Sequence, residues 1–201
     1  APHRRLAVLE RCVALMEERS DQLADTAVRE GGKPITDTRI EISHSIDTIK
    51  NTIAALRTDG GEGMPAGLTA ATKHRTAFTL KEPIGVVVAI SAFNHPLNMI
   101  VHQVVPAVAA GCPVIVKPAA ATPLSCLAFI NILHEAGLPK EWARVIVTSD
   151  HAYAEKLATD SRVGFFSFSG SANVGWSLRS KLAPGARCAL EHGGAAPVIV
   201  T

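Results

Sequence analysis

Leu6, Leu9, Val13 and Met16 recur at steps of three and four residues and predict an amphipathic helix at the start of the chain. Gly31-Gly32-Lys33-Pro34 breaks that period. Ile42, Ile46, Ile49, Ile53 and Leu56 restore it and predict a second helix. Gly60-Gly61-Glu62-Gly63 reads as a linker. Over residues 66 to 82 the period shortens to two, with Thr76, Phe78 and Leu80 separated by small or polar neighbours. The alternation predicts a β-hairpin with its turn between Ala71 and Arg75.

From Gly85 the pattern becomes regular. Val86 to Ile90 is a short, continuous apolar run, typical of a strand buried on both faces. A polar loop, Ser91 to His95, leads to Pro96, which suits the first turn of a helix. That helix is expected to run to Gly111 with a kink at Pro106. Strands follow at residues 112 to 116, 144 to 148 and 163 to 168. Between them, one helix is expected to open at a Thr122 cap and end at Gly137, and another to start after Asp150. Ser171 is placed to cap a further helix reaching about Leu182, and residues 187 to 190 and 197 to 201 are strand-like. Alternating strands and helices imply a parallel sheet with helices on both faces, a doubly wound α/β fold. In such sheets ligands bind at the carboxyl ends of strands, near a topological switch point. Asn94, Lys117, Gly170, Ser171 and Glu191 all fall at expected strand ends.

Composition narrows the classes. The 201 residues are 47% hydrophobic and 19% charged, enough for a buried core, and 4% aromatic, so that core is aliphatic. A net charge of +2 without a basic run argues against nucleic acid as the main ligand. No apolar run approaches the roughly 20 residues of a membrane helix. No leader pattern is visible, although Ala1 is not a natural start. Cys12, Cys112, Cys126 and Cys188 lack Cys-x-x-Cys spacing and read as reduced, buried thiols in a cytoplasmic protein. No His, Cys and Asp cluster has metal-ligand spacing.

Each polar strand end has two uses. Phe168-Ser-Gly-Ser171 suits a phosphate at a helix N-terminus, and equally a tight turn between strand and helix. Lys117 is placed to bond a ribose hydroxyl or phosphate, or to snorkel to the surface. The Asn94 amide can donate to a developing oxyanion, or serve the turn before Pro96. Glu191 interrupts an apolar run before Gly193-Gly194. Partial burial there would suit it to general-base work; the alternative is a carboxylate satisfied by the glycine turn. His192 and His95 are candidates for a proton shuttle or, more simply, structural histidines, and His102 and His134 are most simply surface or capping residues.

Taken together, Glu82-Pro-Ile-Gly-Val-Val-Val-Ala-Ile90, Phe93-Asn-His-Pro-Leu-Asn98, Pro106-Ala-Val-Ala-Ala-Gly111, Val116-Lys-Pro118, Thr122-Pro-Leu124, Glu135-Ala-Gly-Leu-Pro139, Phe168-Ser-Gly-Ser171 and Leu190-Glu-His-Gly-Gly194 resemble the NAD(P)-dependent aldehyde dehydrogenase superfamily. The resemblance covers nearly the whole chain. It implies a Rossmann-like, doubly wound NAD(P)-binding domain over residues 1–65 and 84–195, a protruding oligomerisation hairpin over 66–83, and the start of a catalytic domain at 196–201. It implies a homodimer or homotetramer acting on a small aldehyde, with NAD or NADP as cofactor. Asn94 matches the oxyanion-hole asparagine and Glu191 the base that activates the hydrolytic water. Ile90, Ser91, Phe93, Lys117, Ala120, Gly170, Ser171 and Val174 match cofactor-contact positions.

In the family a cysteine thiolate attacks the aldehyde, hydride passes to the nicotinamide, and water releases the acid from a thioester. By the resemblance that cysteine lies past Thr201, and the family's first strands lie before Ala1. Two positions depart from the pattern. Members that prefer NAD carry Glu three residues after the lysine, where this chain has Ala120, which opens the site to NADP. His192 stands where the family usually has Leu. A CoA-acylating relative and a non-catalytic scaffold are the competing readings; Glu191 weighs against the first, and the joint presence of Asn94, Lys117 and Glu191 against the second.

Overall fold

A computed structural model describes residues 1–200. The opening helical period is divided into two helices, α1 (Pro2–Glu18) and α2 (Ser20–Gly31), which meet at Arg19. The Arg19 guanidinium forms a two-pronged ion pair with Glu135, both bonds 2.7 Å, and so ties the break to α5 (Leu124–Glu135). The second expected helix forms as α3 (Ile35–Thr58).

The expected hairpin differs in extent. Its strands are β1 (Gly63–Met64) and β2 (Ala77–Phe78), paired antiparallel with Gly63 opposite Phe78. The first strand therefore lies at the end of the segment read as a linker, outside residues 66 to 82. Thr79 explains the shift: its backbone N–H donates to the Glu62 carbonyl at 2.8 Å, and its hydroxyl accepts from the Glu62 N–H at 2.9 Å. Those bonds fix the register from the glycine side. Turn structure occupies residues 70 to 74, within the region expected to reverse.

The remaining elements alternate. They are β3 (Val86–Ile90), α4 (Asn98–Ala110), β4 (Val114–Lys117), α5, β5 (Ala143–Val145), α6 (His151–Ala158), β6 (Val163–Gly170), α7 (Ala172–Ser180) and β7 (Arg187–His192). The five later strands form one parallel sheet in the order β5-β4-β3-β6-β7. The chain starts in the middle, winds outward to β5, then crosses to the other side of β3. That reversal sets the switch point between β3 and β6.

Alternate residues of each strand enter two separate cores. Val87, Ala89, Val114 and Val116 pack with α1 to α5. Val88, Ile90, Phe166 and Phe168 pack with Ala154 and Ala158 of α6 and Leu178 of α7. Burying a side chain such as Phe166 contributes roughly 1.5–3 kcal/mol before conformational entropy is counted.

Several boundaries shift from those expected. Helix α4 begins at Asn98 rather than Pro96 and runs unbroken through Pro106. Thr122 does not cap α5; its buried hydroxyl has no partner among the described residues. The third parallel strand covers only 143 to 145, and the last two extend to Gly170 and His192. Residues 197 to 200 form no strand, and Thr201 lies outside the described residues. No helix among the described residues is long and apolar enough to cross a membrane.

Candidate active site at the carboxyl edge of the sheet

The loop from Ser91 to Leu97 joins β3 to α4 and is pinned at both ends. At its start, the Ser91 N–H donates to the Lys117 carbonyl at 3.1 Å, and the Ile90 carbonyl accepts from Gln103 Nε2 at 3.1 Å. At its end, Pro96 and Leu97 are buried. Asn94 lies between them, exposed, and its amide has no hydrogen-bond partner among the described residues. Phe93 beside it is 65% exposed, an apolar ring held in solvent. A free donor on a braced loop can meet a developing oxyanion without reorganising.

Lys117 ends β4 opposite Ile90. It is only 7% exposed, and its ammonium donates to one group, the Pro118 carbonyl, at 3.1 Å. The snorkelling alternative is excluded by that burial. Desolvation lowers its pKa, since no carboxylate neutralises it. An ammonium with unused donors at a strand tip fits hydroxyl or phosphate oxygens of a nucleotide. Ala120 is exposed three residues on, with no acid between them.

The helices that follow strands offer four N-termini at this edge, and three are sealed. Glu41 Oε1 accepts from the Leu97 and Asn98 N–H groups of α4 at 2.9 and 3.1 Å. Glu30 accepts from Leu124 and Ser125 of α5 at 2.6 and 2.9 Å. Asp150 accepts from Ala152 of α6 at 2.8 Å. Helix α7 differs: Ser171 occupies the cap position but makes no side-chain cap bond. Its first-turn N–H groups are left for an anion. Val174, on that turn, is 48% exposed. Gly175 is buried below, where a Cβ would come 2.6 Å from His192 Cδ2 and 3.1 Å from the Phe168 ring.

Register assigns faces to the rest. Ile90, Lys117, Phe168 and Gly170 share the sheet face covered by α6 and α7. Glu191 pairs with Ser169, one residue out of phase, and so takes the opposite face, toward α4. It is exposed, not partly buried as expected, because β7 is paired only with β6 and no described helix covers that side of it. His192 lies on the α7 face, edge-on to Trp176 with centroids 5.1 Å apart, and its Nε2 is buried without a partner. It points away from Glu191 and does not serve as its proton shuttle. Successive strand residues cannot share a face.

Sequence reasoning missed Glu30, Lys33 and Glu41. The available signal was a polar set, Thr38, Glu41 and Ser45, on the buried face of α3. The four thiols are free, and burial pushes Cys12 up to about 12, and burial with the Glu30 charge pushes Cys126 up to about 12. A surface cleft of about 430 Å³, lined in part by Thr52, Asp59, Lys81 and Pro106, lies by the C-terminal ends of α3 and α4, away from this edge. Among the described residues no group of three metal-ligating side chains gathers.

The comparisons with known proteins agree with this geometry. A 3-sulfolactaldehyde dehydrogenase from Priestia aryabhattai is 36% identical over 181 residues, 90% of this chain and 38% of the relative. The crystal structure of aldehyde dehydrogenase 21 from Physcomitrella patens, in complex with the reaction product succinate, superposes with a TM-score of 0.92 at 36% identity, covering 98% of this chain and 41% of that one. The NADP-dependent glyceraldehyde-3-phosphate dehydrogenase from Bacillus halodurans C-125, complexed with NADP, gives 0.91 at 28% identity, covering 96% and 41%. The chain thus spans about two fifths of these relatives. The family model described as the aldehyde dehydrogenase family matches residues 1–201, and with the parallel sheet and its edge of unused donors this chain belongs to that family.

Proposed function

We propose that the protein carrying this chain oxidises an aldehyde to a carboxylic acid with hydride transfer to NAD(P), and that residues 1–65 and 84–195 form its cofactor domain. The observation that carries the reading is the switch-point edge, where a buried, under-bonded Lys117 and the one unsealed helix N-terminus share a face. NAD(P) fits that pair: Lys117 bonds ribose hydroxyls, Gly170 and Ser171 receive the pyrophosphate at α7, and Ile90, Ser91, Phe93 and Val174 flank it. The cofactor supplies the hydride acceptor.

On the α4 side, the Asn94 amide donates to the oxyanion formed when a thiolate attacks the carbonyl. Glu191 accepts a proton from the water that hydrolyses the thioester. The thiol belongs to a catalytic domain that opens at residues 196–201 and continues past Thr201. The open β7 face bearing Glu191 supports that arrangement, since a covering domain would bring both to one cavity. Ala120 supports NADP as well as NAD, because no carboxylate opposes a 2′-phosphate, and Glu30 is already engaged at α5.

The hairpin region supports assembly into a homodimer or homotetramer. Met64, Leu68, Phe78 and Leu80 are 50 to 81% exposed, an apolar group with no partner in one protomer. Free thiols support a cytoplasmic setting. The named relatives are a 3-sulfolactaldehyde dehydrogenase, an aldehyde dehydrogenase complexed with its product succinate and a glyceraldehyde-3-phosphate dehydrogenase, names that point to sulfonate, carboxylate and phosphate groups. His95, exposed on the Asn94 loop, favours a polar or anionic aldehyde here too.

Assaying the full-length protein against neutral and anionic aldehydes with both cofactors tests the reading. Reduction of NAD(P) coupled to acid formation is expected. Acid formation that requires CoA would move the protein to the acylating class, and binding of neither cofactor would leave only a scaffold.

A further inference from the structure

Glu41 is the most buried carboxylate described, with its side chain 0% exposed. It reaches from α3 across to the loop that carries Asn94. One oxygen accepts from two successive backbone N–H groups, Leu97 and Asn98. The other accepts from Lys33 Nζ at 2.6 Å and lies 3.5 Å from His95 Nδ1. Lys33 Nζ is also 3.1 Å from His95 Nδ1. One turn of α3 further on, the Ser45 hydroxyl, 2.8 Å from the Glu41 carbonyl, also lies 3.3 Å from Asn98 Oδ1.

Helix α4 could be capped more simply. A Ser or Asp within the loop would satisfy the same N–H groups. The chain instead uses a distant carboxylate that must be desolvated and paired. What this gains is location. A local cap would move with the loop, whereas Glu41 ties Leu97 to a 24-residue helix packed on α1, α2 and α4. With Ser91 held to Lys117, both ends of the Asn94 loop are referenced to rigid elements. His95, next to Asn94, is gripped by the same cluster.

We propose that Glu41, supported by Lys33, is a positioning residue that holds the Asn94 amide where the oxyanion forms. The proposal rests on the oxyanion-donor reading of Asn94. It makes Glu41 act through Asn94, so the two substitutions must not add.

The test is a double-mutant cycle in the full-length enzyme, read as the pre-steady-state NAD(P)H burst per folded active site. Asn94→Ala and Glu41→Ala are each expected to slow the burst, the latter by about 10- to 100-fold, the scale set by misplacement of about 1 Å. The double variant is expected to match Asn94→Ala within about two-fold. The affinity for NADPH, read by fluorescence, is expected to stay unchanged. Should Glu41→Ala fail to fold, Glu41→Asp carries the same expectation, since its shorter arm stops a methylene short of Leu97. A burst as fast as wild type in the Glu41 variant, or effects that multiply in the double variant, overturns the proposal. A wild-type burst in Asn94→Ala overturns it together with the oxyanion reading; a slow Asn94→Ala beside a fast Glu41 variant removes only the positioning role.

Discussion

Glu191 on β7 stands directly across from Ser169 on β6, and the Ser169 hydroxyl donates to Met99 Sδ in the first turn of α4 at 3.4 Å. Ser169 thus marks the face that Glu191 shares with the Asn94 loop. Under the proposed function, Glu191 faces the side assigned to the aldehyde, opposite that of Lys117. In the full-length enzyme, Glu191→Gln is expected to preserve the hydride burst and slow steady-state acid release by at least 10²-fold, the lower scale of a general base. Rapid-mix kinetics check this; an unchanged steady-state rate removes the base assignment.

Lys117 carries the clearest conflict between binding and stability. Burial holds its pKa below the ordinary 10.5, so the unfolded chain binds that proton more tightly. At neutral pH the buried charge therefore opposes folding. Stability rises as pH climbs from the lowered folded value toward 10.5. Lys117→Met is expected to raise stability at pH 7 by on the order of 1 kcal/mol, with the difference from wild type shrinking at alkaline pH. The same substitution should abolish most of the thermal upshift produced by NADPH. Melting curves with and without nucleotide across pH read both effects.

Gly175 is required by packing rather than by backbone angle. A methyl group there meets two rings, His192 and Phe168, neither of which can fold away like a flexible chain end. Gly175→Ala is expected to cost about 1–3 kcal/mol, the usual penalty of overpacking. Adding His192→Ala should recover part of it, because the closest obstructing atom is gone. Denaturant titration of the single and double variants checks the coupling.

The thiols make a negative prediction. Cys12, Cys112 and Cys126 are buried, and Cys188 faces the α7 core rather than Glu191. Residues 1–201 alone are expected to give no aldehyde dehydrogenase turnover, and Cys188→Ala should leave full-length activity intact. Turnover by the fragment would locate a nucleophile within it.

Much of this was legible in the sequence because the signals were local. Apolar runs of four or five residues marked β3 and β4, and glycine or proline punctuated the helices after them. Strand-tip placement of Lys117 and Asn94 followed from counting along those runs. What escaped depended on contacts distant in sequence. Glu41 meets Leu97 across 56 residues, and Glu30 meets Leu124 across 94, so neither leaves a capping pattern near the helix it serves. Thr122 looked like the cap because local spacing favoured it. The extent of the hairpin differed for a similar reason, since the pairing partner of Phe78 is a glycine without a strand signature. Exposure of Glu191 could not be read from flanking residues at all, because it depends on what lies beside β7.

The three occupied helix ends have a consequence for selectivity. Glu41, Glu30 and Asp150 already occupy N–H groups there, so a phosphate passing over this rim finds those donors taken at α4, α5 and α6. Of the four helix ends, α7 alone leaves its donors free, beside the Lys117 ammonium. A dinucleotide can therefore settle in one orientation and not in three displaced copies of it, which spares the protein from holding its own cofactor unproductively.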